Sequence, residues 1–374
     1  MIMPAYGSGS LADVLPSALA ALGVPGERDV LDLRLDGVRR IAVLLIDGLG
    51  HGLLPLAAPS SPALAELART GRRLTAGFPS TTPTSLVTLS TGAPPGSHGV
   101  LGFFLNIPGT DRVLNHIEWH GDPDPLAWQP LETRFARAAA SGVTTTVVSL
   151  PQYAGSGLTR AAWRGAAYVG APSNDGTVDE MIGALVAAPR TLVYGYHPWV
   201  DACGHVFGVG SPEWHDSVTE IDRLLARLVE RLPPDAALLV TADHGQLDVP
   251  REHRFDMDTT PGMRDGVRVV AGEPRVRYLH TVPGARDDVI AVWRELLGDA
   301  AWVADRDEAV AAGWFGRVEP ALAERIGDVV VACRDDYAVL ASLSESPRIS
   351  ALRAYHGSFT EIEMAIPLLI ATHG

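Results

Sequence analysis

The chain has 374 residues, of which 47% are apolar, and it carries a formal charge of -14. That is enough apolar material for one large core and too much for a disordered segment. The negative charge argues against nucleic acid polymers and anionic membranes as partners, and two cysteines, Cys203 and Cys333, give no disulfide framework.

The opening MIMPAYGSGSLADVLPSALAALGV has neither a basic start nor a continuous apolar core, so no secretory signal is expected and the cytoplasm is the default location. The first strong pattern is RRIAVLLIDGLG. Its apolar run, Ile41 to Ile46, is too short to span a membrane and suits a strand buried on both faces, with Asp47 at its carboxyl end. A carboxylate there faces the crevice in which open α/β sheets bind ligands. Taken alone, Asp-Gly after a strand is more often an ordinary turn. A helical pattern over Pro62 to Arg69 follows, then FPSTTPTSLVTLSTG, which places Thr82 at a helix N-terminus. Unpaired amides and the helix dipole favour a phosphoryl oxygen or an alkoxide at that point. The plainer alternative is that Thr81 or Thr82 caps the first turn, with Pro83 at the start of the helix.

Further along, strand patterns at Val143 to Leu150 and Thr191 to Tyr196 alternate with a helix over Thr177 to Ala187. The segment YGYHPWVDACGH places Asp201 four residues before His205, one helical turn apart, so both can converge on one ion. His197 is a rival for His205, and Cys203 a poorer one in an oxygen-rich set. After a helix over Trp214 to Arg231, the strand Ala236 to Thr241 leads into Asp243 and His244. Neighbours in extended chain point apart, so both serve one site only if the chain turns, which Gly245 allows. Residues 255 to 345 read as a small α+β cap, with strand patterns at Val267 to Ala271 and Val276 to Leu279, helices at Asp287 to Leu297 and Arg306 to Gly313, and a run at Gly327 to Ala332. YHGSF then brings His356 ahead of a last strand, Ala365 to Ile370. This alternation predicts a doubly wound, mostly parallel α/β sheet flanked by helices, with residues 1–254 and 346–374 as the core and 255–345 as an inserted cap.

The segments LLIDGLG, FPSTTPTSLVTLSTG with GSHGV after it, VDACGH, TADHG and YHGSF occur in an order that resembles the alkaline phosphatase superfamily, in its nucleotide pyrophosphatase and type I phosphodiesterase branch. The resemblance spans the chain and implies an alkaline phosphatase-like fold. By motif position it implies one metal ion on Asp201, His205 and His356. A second is implied on Asp47, Asp243 and His244 together with the nucleophile Thr82. A threonine hydroxyl is a poor nucleophile near neutral pH, and zinc coordination lowers its pKa. Carboxylate and imidazole donors suit zinc, while manganese, cobalt or iron accept the same set.

Departures from the branch bear on the substrate. Its usual Asn and His after the nucleophile are replaced by Ser85 and Leu86, which leaves Ser85 as a shorter candidate donor to a substrate oxygen. The chain contains no lysine, and no arginine lies between Arg73 and Arg112, although Arg164 or Arg275 could fold inward. Two zinc ions with few cations around them suit a diester monoanion better than a monoester dianion. The expected activity is therefore hydrolysis of phosphodiester or pyrophosphate bonds in small, nucleotide-like molecules through a phosphothreonine intermediate. A phosphomonoesterase and a metal- or phosphate-binding relative without catalysis are the alternatives. Trp119, Trp128, Trp163 and Tyr153 are candidates for stacking a base, with ordinary core packing as the rival account.

Overall fold

The structure, a computed structural model, describes residues 1–373. Along the chain the longer strands are β1 (Arg40–Ile46), β2 (Arg72–Thr75), β3 (Thr144–Ser149), β4 (Ala167–Gly170), β5 (Thr191–His197) and β6 (Ala236–Thr241). They are followed by β7 (Val267–Glu273), β8 (Val276–Thr281), β9 (Ala301–Asp305), β10 (Val329–Cys333) and β11 (Ala365–Thr372). Seven of them form one sheet in the order β2-β11-β6-β1-β5-β3-β4. The five from β6 to β4 are parallel, and β11 runs antiparallel to both β6 and β2. Every residue of β1 from Ile41 to Ile46 is buried, as its unbroken apolar run requires in a sheet covered on both faces.

Helices α1 (Thr82–Thr91), α2 (Asn174–Val186), α3 (Trp199–Phe207) and α4 (Pro212–Glu230) are among those that supply the cover. In α4 the residues Trp214, Val218, Ile221, Leu225 and Leu228 fall on one stripe and are buried, which is the helical repeat of its apolar positions. Ser211 starts that helix, its hydroxyl accepting the Trp214 N–H at 3.2 Å. Among the described residues no helix is long and apolar enough to cross a membrane.

The doubly wound α/β class read from the alternation is the class observed. Strands β2, β4 and β9 were not foreseen. β2 reads RRLT and β4 reads AYVG, edge strands with too little apolar repeat to stand out, and β9 follows a helix with only three residues between.

A second sheet, antiparallel in the order β7-β8-β10-β9, is built from residues 267–333. Side chains alternate across it. Val329, Val331 and Cys333 of β10 pack with Trp293 of α5 (Arg286–Leu297), whereas Val330 and Ala332 join the main core. One buried ion pair ties this sheet to the rest. The Arg275 guanidinium, in the β7–β8 turn, donates to both Glu363 oxygens at 2.9 and 2.7 Å, and neither side chain is exposed. Glu363 also accepts the Ser358 N–H at 3.0 Å, beside His356.

Removing one partner of a buried pair strands the other charge. Glu363→Ala is therefore expected to cost about 3–5 kcal/mol of stability in urea unfolding, and a loss below about 1 kcal/mol would show that the pair does not clamp the two sheets.

Candidate active site

Three neighbouring strands deliver the cluster. Asp47 leaves the carboxyl end of β1, Asp243 and His244 leave β6, and Asp201 sits in α3 just beyond β5. The backbone locks them in register: the Asp47 N–H donates to the His197 carbonyl at 3.0 Å and the Asp201 N–H to the Asp47 carbonyl at 3.1 Å. Thr82 is the first residue of α1, and its Oγ1 lies 3.2 Å from His244 Nε2 and 3.4 and 3.5 Å from the Asp47 oxygens. Thr81, at the cap position, makes no side-chain capping bond. The Thr82 hydroxyl is thus directed at the cluster and is not used on the helix's first turn.

Donor atoms of Asp47, Asp243 and His244 lie within 4.8 Å of one another, and so do those of Asp201, His244 and His356. His244 is shared, its ring stacked on that of His356 with centroids 3.6 Å apart. His205 approaches Asp201 from the other side, Nε2 to Oδ2 at 3.2 Å, while Asp201 Oδ1 lies 3.8 Å from His356 Nε2. All seven motif residues therefore meet at one place. The Asp201 carboxylate stands between His205 and His356, the grouping the motifs imply, and the difference is that His244 falls with Asp201 and His356 as well as with Asp47 and Asp243.

Each histidine presents the same nitrogen. His205 Nδ1 is 2.7 Å from the Ala354 carbonyl, His356 Nδ1 is 2.9 Å from that of Ser80, and His244 Nδ1 is 3.2 Å from that of Gly245. A carbonyl only accepts, so it fixes the proton on Nδ1 and leaves each Nε2 lone pair facing the cluster. This is the arrangement by which metal-binding histidines are oriented.

Two glycines make the convergence possible. Gly48 has φ +75°, and a Cβ there would meet the Asp201 Cα at 2.9 Å. Gly204, between Asp201 and His205, would drive its Cβ to 1.8 Å from the Gln246 Oε1. That Gln246 donates to Asp201 Oδ1 at 2.9 Å.

Negative charge in the cluster is left uncompensated by the side chains around it. Burial, and then the charges of Asp243 and Asp201, hold the Asp47 carboxyl well above the usual range. Burial pushes Asp201 up too, but the His205 charge and hydrogen bond outweigh it and leave that carboxyl below the usual range. Burial lowers His244, and the Asp243 charge reverses the direction. Asp243 Oδ2 is buried with no hydrogen-bond donor. No lysine or arginine lines the adjoining cavity of about 320 Å³. Three buried carboxylates, three Nε2 lone pairs and an unpartnered oxygen, with no cationic side chain, fit divalent metal ions.

Ser85 does not face the cavity. Its buried hydroxyl donates to the Asp243 carbonyl at 2.9 Å, because one turn into α1 it points back at the loop after β6. His197 lies apart, its Nε2 3.1 Å from Asn174 Oδ1. Arg164 donates to the carbonyls of Gln129 and Leu131, and Arg275 is held by Glu363, so neither reaches the cluster. Tyr153 lines the cavity at Thr82, and Trp119 and Trp163 line a neighbouring one that also reaches Thr82, whereas Trp128 is stacked under Arg325. Two residues escaped the sequence reading. The Tyr196 hydroxyl donates to Asp47 Oδ2, and Gln246 supports Asp201. Tyr196 pairs with Leu45 across β5 and β1, so its position near a strand end, beside Asp47, was the available signal. Gln246 had none beyond its closeness to His244.

With this geometry in view, the profile of one family, described as type I phosphodiesterase / nucleotide pyrophosphatase, matches residues 41–359. An uncharacterised pyrophosphatase/phosphodiesterase of Schizosaccharomyces pombe is 28% identical over 183 residues. That match covers 45% of this chain and 36% of the relative, so the chain spans about a third of the relative's length. Among solved structures, an inactive variant of murine ectonucleotide pyrophosphatase / phosphodiesterase 5, in complex with AMP, superposes with a TM-score of 0.71 at 16% identity, covering 88% of this chain and 87% of that one. Phosphonoacetate hydrolase of Sinorhizobium meliloti 1021, in complex with phosphonoformate, superposes with a TM-score of 0.65 at 19% identity and 90% coverage of both. These likenesses establish the fold.

Gly204→Ala is expected to displace Gln246 and release Asp201. A competition titration with zinc should read this as about 10–100-fold weaker binding, and unchanged affinity would remove Gln246 from the support of the site.

Proposed function

The chain belongs to the type I phosphodiesterase / nucleotide pyrophosphatase family, and from that premise we propose that it hydrolyses phosphodiester or pyrophosphate bonds of small, nucleotide-like molecules, with Thr82 as nucleophile. The observation that carries the reading is the Thr82 hydroxyl at a helix N-terminus, 3.2 Å from His244 Nε2 and 3.4 Å from Asp47. Two divalent ions, zinc by the donor types, would be held by Asp47, Asp243, His244 and Thr82 and by Asp201, His205 and His356. Bound there, they supply positive charge that lowers the pKa of the Thr82 hydroxyl and neutralises the phosphoryl group.

The residues of the chain account for the remaining chemistry. Thr82 Oγ1, deprotonated to solvent, forms a bond to phosphorus as the bond to the leaving oxygen breaks, and the leaving oxygen takes a proton from water. The product is a phosphothreonine, with the first-turn amides of α1 facing the phosphoryl oxygens. Water then attacks the same phosphorus from the vacated side and restores the hydroxyl, so two inversions give net retention. Tyr196 holds Asp47 and Gln246 holds Asp201 through both steps. The cavity contains no lysine or arginine to bind a dianion, which favours a diester monoanion. A net charge of -14 likewise favours small phosphoesters over nucleic acid polymers or anionic membranes.

Purified protein is expected to bind about two equivalents of zinc and to hydrolyse bis(4-nitrophenyl) phosphate faster than 4-nitrophenyl phosphate. Chelation should abolish turnover, and zinc should restore it. Thr82→Ala should lower the diester rate by roughly three orders of magnitude or more while the protein stays folded. Full turnover in that variant would remove Thr82 from its role, and a monoester rate above the diester rate would move the assignment to a phosphomonoesterase.

A further inference from the structure

The cavity beside Thr82 is closed on one side by the second sheet, which contributes a residue that neither the motifs nor the mechanism uses. Glu273 ends β7, and its side chain is 5% exposed. One oxygen, Oε2, accepts the Phe103 N–H at 3.0 Å, and the other, Oε1, is buried with no hydrogen-bond partner. The nearby arginines are engaged elsewhere: Arg277 donates to Glu345 and, at 2.8 Å, to the Val339 carbonyl, while Arg275 is paired with Glu363. No lysine or arginine lines the cavity, whose walls include Phe103, Phe104, Tyr153 and Tyr355. A buried carboxyl that lacks both a second donor and a counter-charge is costly unless something brings them.

We propose that Glu273 is a specificity residue that receives a primary ammonium group on the leaving arm of the diester. This rests on the assignment of Thr82 as nucleophile, because Thr82 and Glu273 border one cavity and an in-line leaving arm departs on the side opposite the Thr82 oxygen. An ammonium brings three donors and one positive charge, which is what Oε1 lacks, and the aromatic walls add a cation–π contribution. An arm carrying its own phosphate or carboxylate would meet a carboxyl and no cation. Burial pushes the Glu273 carboxyl up to about 8, against the Phe103 amide that lowers it. An entering ammonium would draw it back to the carboxylate.

The test uses the full chain with Thr82→Ala, so that binding is measured without turnover. Calorimetric titration compares methyl 3-aminopropyl phosphate with methyl butyl phosphate, which differ by an ammonium in place of a methyl and carry no better leaving group on the other arm. The amino ester is expected to bind on the order of tenfold tighter, and the gap should close to about twofold or less when Glu273→Gln is added. Glu273→Asp, which keeps the charge and shortens the reach, should narrow the gap and covers the case in which the Gln variant does not fold. Equal affinities, or a gap that survives either substitution in folded protein, would overturn the inference. Turnover of bis(4-nitrophenyl) phosphate by the unsubstituted protein separates the two levels. Diester hydrolysis without amino preference overturns this proposal alone, whereas failure to bind either ester and to hydrolyse the diester overturns both.

Discussion

Mutual repulsion among Asp47, Asp201 and Asp243 is the constraint that the surrounding structure is built to contain. Two like charges 4 Å apart cost about 4 kcal/mol at an effective dielectric of 20, and a hydrogen bond to a charged group returns about 1.5–3 kcal/mol. Each carboxylate has its own donors: Tyr196 for Asp47, Gln246 for Asp201, and the Gly48 and His244 amides for Asp243 at 3.1 and 3.0 Å. These offset the repulsion without removing it, as the raised Asp47 carboxyl records. Divalent cations would turn the same cluster from a liability into a set of ligands, and the three Nε2 atoms already face where such ions would sit.

Much of this was legible in the sequence because metal-binding residue types leave a mark when they follow buried strands. Asp47 after Ile46 and Asp243 after Ala242 stand at the ends of apolar runs, and in a parallel sheet those ends share one edge. Asp201 and His205 were legible from helical spacing. What the sequence hid was support. Gln246 and Tyr196 are ordinary residues whose role depends on contacts between segments about 45 and 149 positions apart. Ser85 was assigned to substrate because its position in the motif suggested a donor, but the direction in which a helical side chain points at the start of α1 is set by packing against the loop after β6. Edge strands such as β2 were lost for a different reason: an edge needs little apolar surface, so its pattern is weak.

The two sheets divide the labour. The strand ends, helices and loops around the main sheet hold every residue proposed for metal binding and for attack on phosphorus, while the second sheet and its turn contribute Glu273 and Pro274 to the wall of the cavity beyond them. The Arg275–Glu363 pair couples the two parts within a few residues of both Glu273 and His356. A change in the second sheet can therefore alter which substrates fit without disturbing the bond-breaking centre, the usual benefit of carrying specificity on segments outside the rigid scaffold.

The position of β11 has a consequence for biogenesis. This strand lies between β2 and β6 in the interior of the main sheet, although it follows both of them, and the whole second sheet, in sequence. Until it is in place β6 presents an open flank, and His356, a few residues ahead of it, is not held against the His244 that follows β6. Closure of the seven-residue cluster must therefore await a strand pairing of high sequence separation, the kind of contact that forms slowly and leaves intermediates exposed to aggregation. An intermediate in which β11 has not yet docked would hold most of the helices and strands and still lack the complete cluster.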